Sequence, residues 1–126
     1  MTMPDKGKKI LLVDDEAGFA ELLRDLLSMD GYEVRLAYDG IEGLDVLKEF
    51  TPDVIISDVM MPRMGGLEFF KVVRDQPSTS NIPFLFISGF HDERVLEEAR
   101  SVGVFNILQK PVDMEKIEEE LSRIIK

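Results

Sequence analysis

The chain has 126 residues, 44% hydrophobic and 32% charged, the balance of one globular domain with an ordinary hydrophobic core. Its 25 acidic residues against 15 basic ones, a formal net charge of −10, argue against direct nucleic-acid binding, which rests on neutralising phosphates with Lys and Arg; they fit a protein that meets basic surfaces or holds cations. With no cysteine and a single histidine, His91, the composition excludes disulfides, zinc–thiolate sites, thiol catalysis and a His-rich metal site.

Two hydrophobic periods alternate from end to end. KKILLV (8–13) predicts a first strand, followed by a helical face of Phe19, Leu22, Leu23, Leu26 and Leu27 that stops at Gly31. YEVRLA (32–37) predicts a second strand, and Ile41, Leu44 and Leu47 a second helix. Pro52 precedes the third strand, DVIIS (53–57), and Leu67, Phe70 and Val73 mark the helix after it. Pro83 opens PFLFIS (83–88); Val95, Leu96, Ala99 and Val102 then trace a fourth helix ending at Gly103. VFNILQ (104–109) is the fifth strand, and Met114, Ile117, Leu121 and Ile124 form the last helix, capped by Asp113. Five βα units without linker, repeat or low-complexity tract predict an α/β fold, a parallel sheet with helices on both faces. No apolar run approaches the ~18 residues of a membrane span. ILLV, behind the basic start MTMPDKGKKI, is too short for a signal-peptide core. The expectation is one soluble, cytoplasmic domain over residues 1–126, its core from about residue 8 to 125 and residues 1–7 a short extension.

In open parallel sheets, ligands bind outside the carboxyl ends of the strands, where strand order reverses. Here the first strand ends in Asp14-Asp15, the third in Asp58, the fourth in Ser88 and the fifth in Lys110-Pro111; the second ends in Ala37-Tyr38. Taken singly, each residue has an ordinary role. The Asp pair caps a helix, Asp58 turns the chain before Met-Met-Pro, Ser88 is a loop residue, Lys110 is solvated and Pro111 starts a helix. Together they bring three carboxylates, a hydroxyl and an ammonium to one edge. The carboxylates would raise one another's pKa unless a cation sat among them. Mg²⁺ is the expected cation, because it takes oxygen ligands and binds through one or two carboxylates plus phosphate oxygens. A carboxylate is also a nucleophile toward phosphorus, and the metal and the ammonium would neutralise the transferring group.

Asp14-Asp15-Glu16, Asp58 with MMPRMGG, Ser88-Gly89 and Lys110-Pro111, in this order at these strand ends, resemble the receiver domain of bacterial two-component response regulators, over the chain from about Lys8 to the last helix. The resemblance implies a flavodoxin-like, doubly wound five-stranded sheet of order 2-1-3-4-5 with five helices. It implies that Asp58 is the phosphoacceptor. Asp15 and Asp58 would bind Mg²⁺ through their carboxylates, Asp14 mostly through water, and Met60 through its backbone carbonyl. Lys110 would contact the phosphoryl group, aimed by a cis peptide bond before Pro111, and the Ser88 hydroxyl would move onto a phosphoryl oxygen. The partners implied are a sensor histidine kinase or histidine phosphotransfer protein and a downstream target or output domain of unknown identity. Whether phosphorylation brings a dimer stays open.

Several positions depart from the family pattern. Ile107 stands where an aromatic side chain often gates the switch, so transmission is expected through a rotamer shift of Ile107 or a loop movement, with Phe105 a weaker substitute. Gly89 replaces the common Ala and makes its loop permissive in backbone angle. Met60 and Phe90 fill two variable positions that govern attack by water; both are apolar, and slow self-dephosphorylation is expected. The expected role is a signalling switch, not a classical enzyme. A metal-dependent phosphohydrolase of the haloacid-dehalogenase type would need D-x-D after the first strand, whereas Asp14 and Asp15 are adjacent. A flavin-nucleotide binder would need a hydroxyl- and Gly-rich loop where D-D-E stands. A docking-only pseudo-receiver fits poorly with every acidic, hydroxyl and lysine position filled.

Overall fold

A computed structural model describes residues 7–89, 93–104 and 106–125. The expectations for Phe90, His91, Phe105 and the N-terminal extension before Gly7 lie outside the described residues. Strands and helices alternate as β1 (Lys9–Val13), α1 (Ala17–Met29), β2 (Glu33–Ala37), α2 (Gly40–Leu47), β3 (Val54–Asp58), α3 (Gly66–Asp75), β4 (Phe84–Ser88), α4 (Glu93–Ser101), β5 (Ile107–Gln109) and α5 (Met114–Ile124). All strand pairs are parallel, in the order β2-β1-β3-β4-β5.

The two-residue period of each strand divides its side chains between two cores. Ile10, Leu12, Val54, Ile56, Leu85 and Ile87 meet Leu23 and Leu27 of α1 and Ile117 and Leu121 of α5. Leu11, Val13, Ile55, Phe84 and Phe86 face the other way, onto Phe69, Phe70 and Val73 of α3 and Ala99 of α4. Phe70 packs edge-on against Phe84 and Phe86, holding α3 beneath β4. Both faces of β1, β3 and β4 are thus covered, which is why these strands are nearly unbroken apolar runs.

Local expectations need three corrections. Leu22 is 58% exposed, because α1 seats on the sheet along Ala20, Leu23 and Leu27 and Leu22 falls off that stripe. Ile41, in the first turn of α2, is likewise exposed. The fifth strand begins at Ile107 rather than residue 104: Val104 still donates its N–H to Ala99 O (2.9 Å), closing the turn after α4 through Gly103 at φ +92. Asp113 caps α5, accepting from the Lys116 N–H at 2.9 Å.

Candidate phosphoacceptor site

Strand order reverses between β1 and β3, since β2 lies outside β1 while β4 and β5 lie outside β3. Val13 pairs with Ser57, so the next residues, Asp14 and Asp58, stand side by side at the carboxyl edge. Both continue the even-numbered rows that face α1 and α5. The backbone fixes them firmly. Asp14 N–H donates to Ala37 O (3.0 Å), and Asp58 pairs with Ile87. Gly66, the first residue of α3, donates its N–H to Val59 O at 2.8 Å and lies against the Asp58 carbonyl so closely that a Cβ would come within 2.0 Å of that oxygen. Only glycine permits this approach.

The side chains converge on Lys110. Its Nζ lies 3.2 Å from Asp14 Oδ2, 3.2 Å from Asp58 Oδ2 and 2.6 Å from Glu16 Oε1. It also stands 4.5 Å above the Phe19 ring, a cation–π contact. Lys110 is placed from β4, donating its backbone N–H to Ser88 O at 2.8 Å, and the Lys110–Pro111 bond is cis. The free oxygens of the two aspartates are met by amides: Asp14 Oδ1 accepts from Glu16 N–H (2.9 Å), and Asp58 Oδ1 from Met60 N–H (3.3 Å). Asp14 and Asp58 are only 1% and 7% exposed.

One ammonium here serves three carboxylates. Burial raises the pKa of Asp14, helped by the charge of Asp58; the Glu16 amide and Lys110 recover only part of that shift. Burial likewise raises Asp58 above the usual aspartate range, against the pull of Lys110 and the Met60 amide. Burial works to lower Lys110, but Glu16, Asp58 and Asp14 outweigh it and hold the ammonium firmly protonated. Lysine feels all three anions while each anion has a share of one lysine, so the cluster keeps an excess of negative charge. Carboxylate oxygens of Asp14, Glu16 and Asp58 lie within 4.8 Å of one another. An all-oxygen, net-negative set on a solvent-facing edge suits a hard divalent cation.

The structure therefore brings together Asp14, Asp58 and Lys110, with Ser88 buried at the end of the neighbouring β4. Asp15 is exposed on the same turn, outside the group of three carboxylates, and Met60 is 55% exposed at the rim. Ile107 is half-buried against the core on the α3–α4 face. Gly89 serves differently from expectation. Its φ is not in the left-handed region; its value is space, since a Cβ there would lie 3.3 Å from Lys110 Cδ. From the sequence, Glu16 stands beside the aspartates with no role of its own, and Phe19 belongs only to the apolar face of the first helix. The position of Glu16 in the D-D-E run was the available signal for its contact with Lys110.

The family model for the response regulator receiver domain matches residues 10–122. The chain is 39% identical over 120 residues to the Regulator of RpoS of Escherichia coli K12, covering 94% of this chain and 35% of that protein, so it spans about a third of that relative's length. It is 32% identical to a probable chemotaxis protein CheY of Rhizobium etli, covering 92% of this chain and 91% of that one. Among solved structures it is similar to the chemotaxis response regulator CheY4 of Vibrio cholerae, at a TM-score of 0.85 and 36% identity over 94% of this chain and 99% of that one. The matched span runs from β1 into α5 and takes in the whole carboxyl edge, from Asp14 through Asp58 and Ser88 to Lys110; the chain belongs to the response regulator receiver domain family.

Proposed function

We propose that the domain accepts a phosphoryl group on Asp58 from a phosphohistidine of a sensor histidine kinase or histidine phosphotransfer protein, and that the new charge changes how it engages a downstream target or output domain. The observation that carries this reading is Asp58 itself. Its carboxylate is held at the end of a central strand, with one oxygen on Lys110 and the other on the Met60 amide, beside a second buried carboxylate. Receiver domains are signalling switches rather than classical enzymes. The phosphohydrolase reading has no comparable support, because the D-x-D arrangement it needs after β1 is absent: Asp14 and Asp15 are adjacent.

An Asp58 oxygen forms a bond to phosphorus as the donor P–N bond breaks; the electron pair leaves on the imidazole nitrogen, which takes a proton from solvent. Lys110, already protonated and 3.2 Å away, turns to the incoming phosphoryl oxygens, and Glu16 and Phe19 both hold its ammonium at the edge. Mg²⁺ would be held by Asp58 and Asp15, by Asp14 through water, and by the Met60 carbonyl. When bound, it supplies positive charge against the phosphoryl oxygens and removes the carboxylate repulsion. Ser88, on the adjacent strand end, would hydrogen-bond a phosphoryl oxygen, and its loop would drag the half-buried Ile107 to a new rotamer beneath α4. Phosphorylation thus adds charge at Asp58, and the α4–β5 face changes its partner preference.

Intact mass after incubation with a small acyl phosphate, with and without Mg²⁺, tests this on wild type and Asp58→Asn. A single Mg²⁺-dependent phosphoryl adduct, absent in the variant, is the expected result. No adduct on the folded, Mg²⁺-supplied protein would leave a docking-only pseudo-receiver instead.

A further inference from the structure

Met60, whose backbone carbonyl the proposed function assigns to the cation, lies in the segment between β3 and α3, and that segment is fastened elsewhere. Three residues on, Arg63 adopts φ +63, the left-handed region, which is unfavourable for a side-chain-bearing residue and persists only where neighbours enforce it. The enforcing group is Asp39. Arg63 Nε donates to Asp39 Oδ2 at 2.6 Å, and Nη2 lies 2.5 Å from the same oxygen and 3.8 Å from Glu42 Oε2. Asp39 is buried, and its other oxygen caps α2 by accepting from Glu42 N–H at 2.9 Å. Next to this pair, Gly40 N–H donates to Met64 O at 3.0 Å. A Cβ on Gly40 would come within 2.6 Å of Met64 Cγ, so Met64 closes over the start of α2. Two consecutive loop residues, Arg63 and Met64, are thus clamped to two consecutive residues at the head of α2, Asp39 and Gly40. The four contacts belong to neither the carboxylate cluster nor the lysine.

We propose that Arg63 is a positioning residue for the phosphoacceptor site: paired with buried Asp39, it latches the β3–α3 loop to α2 and so sets the Met60 carbonyl where the cation needs it. This rests on the metal-dependent reading above. An exposed ion pair is ordinarily worth little, but here the carboxylate is buried, and loss of Arg63 leaves it with backbone amide partners alone. The loop would then be free to leave its strained conformation, and Met60 with it. Supporting partners of this kind tune metal affinity without touching the metal.

The test uses Arg63→Gly, Arg63→Lys and Asp39→Asn. Glycine suits the left-handed backbone, so Arg63→Gly removes the latch while easing the strain and stays folded. Amide exchange at Gly40 in metal-free protein reports the latch directly, and amide-shift titration with Mg²⁺ reports the site. In Arg63→Gly, Gly40 protection falls, the Mg²⁺ midpoint rises about ten-fold, and the phosphorylation rate at saturating Mg²⁺ is unchanged. Arg63→Lys restores part of the shift, and combining Asp39→Asn with Arg63→Gly adds little to either. A folded Arg63→Gly protein with wild-type Mg²⁺ midpoint, whether or not Gly40 protection is lost, overturns the proposal. A wild type with no Mg²⁺ response at all overturns the functional reading and this proposal with it. That outcome is recognised by its presence in the unmutated chain.

Discussion

A Cβ at Gly66 would lie 2.0 Å from the Asp58 carbonyl oxygen and 3.0 Å from both the Asp58 carbonyl carbon and Val59 Cα, all backbone atoms. To regain an ordinary contact, α3 must back away from β3 by more than an ångström. β3 cannot yield, because it is paired on both sides, to β1 and β4. The displacement therefore strips the Gly66–Val59 hydrogen bond, worth ~1 kcal/mol. It also loosens Leu67, Phe69 and Phe70 from their core, and overpacking of this kind costs a further ~1–3 kcal/mol. Against this stands the gain from replacing glycine in a helix, at most ~1 kcal/mol. Gly66→Ala should lose about 1–3 kcal/mol net in urea unfolding followed by circular dichroism. Gly18 supplies the matched control. It sits in α1 with nothing within 4 Å of its added Cβ, so Gly18→Ala should gain ~0.5–1 kcal/mol. Gly66→Ala as stable as wild type, or both glycines responding alike, would refute the close approach that fixes Asp58.

Mg²⁺ should raise the melting temperature of the wild type, because the proposed site exists only in the folded chain and its charge would offset the excess of carboxylates over the one ammonium there; at a hundred times its Kd the gain is ~2.7 kcal/mol. Lys110→Ala should melt lower without Mg²⁺ and gain more from it than wild type, since the divalent ion replaces the lost charge; equal gains would contradict the shared-cation picture. Burial works to raise Asp39, but the Glu42 amide, the Arg63 guanidinium and the Ile41 amide overcome it and lower its pKa from the ordinary 3.8. The unfolded state therefore binds the proton more tightly, and the contribution of Asp39 is full above about pH 4 and drains away as pH falls below it. The stability gap between wild type and Asp39→Asn should narrow over that acid range, and a gap that widens there would reverse the sign. The phosphoryl adduct should persist for minutes or longer, because the apolar, exposed Met60 at the rim orients no water; its decay followed by intact mass within seconds would contradict this.

That helices cover both faces of the sheet was legible from the alternation of strands and helices, and the division of the strand residues between the two cores then follows from the fold. Ile55, Phe84 and Phe86 face α3 and α4 while Val54, Ile56, Leu85 and Ile87 face α1 and α5, as a two-residue period requires. The strand-end rule also drew Asp14, Asp58 and Lys110 together from points up to 96 residues apart, because register converts strand ends into neighbours. Helix faces were read less well. A stripe of five apolar residues does not say which edge of it meets the sheet, and Leu22 lost that contest to Ala20. The start of β5 was blurred by Val104, whose side chain is as apolar as a strand residue but whose amide still serves α4. Pairings between two loops have no period to betray them. Arg63 with Asp39, 24 residues apart, and Glu16 with Lys110 come from loop geometry that only the folded chain displays.

The most direct test of the central claim locates the phosphoryl group on the chain. Wild-type protein is incubated with a small acyl phosphate and Mg²⁺, reduced with borohydride to trap any acyl phosphate as the corresponding alcohol, and mapped by peptide mass. Modification confined to Asp58 is the predicted result. Modification at Asp14 or Asp15 with Asp58 untouched would contradict the account, as would an unmodified chain that is folded and loaded with Mg²⁺.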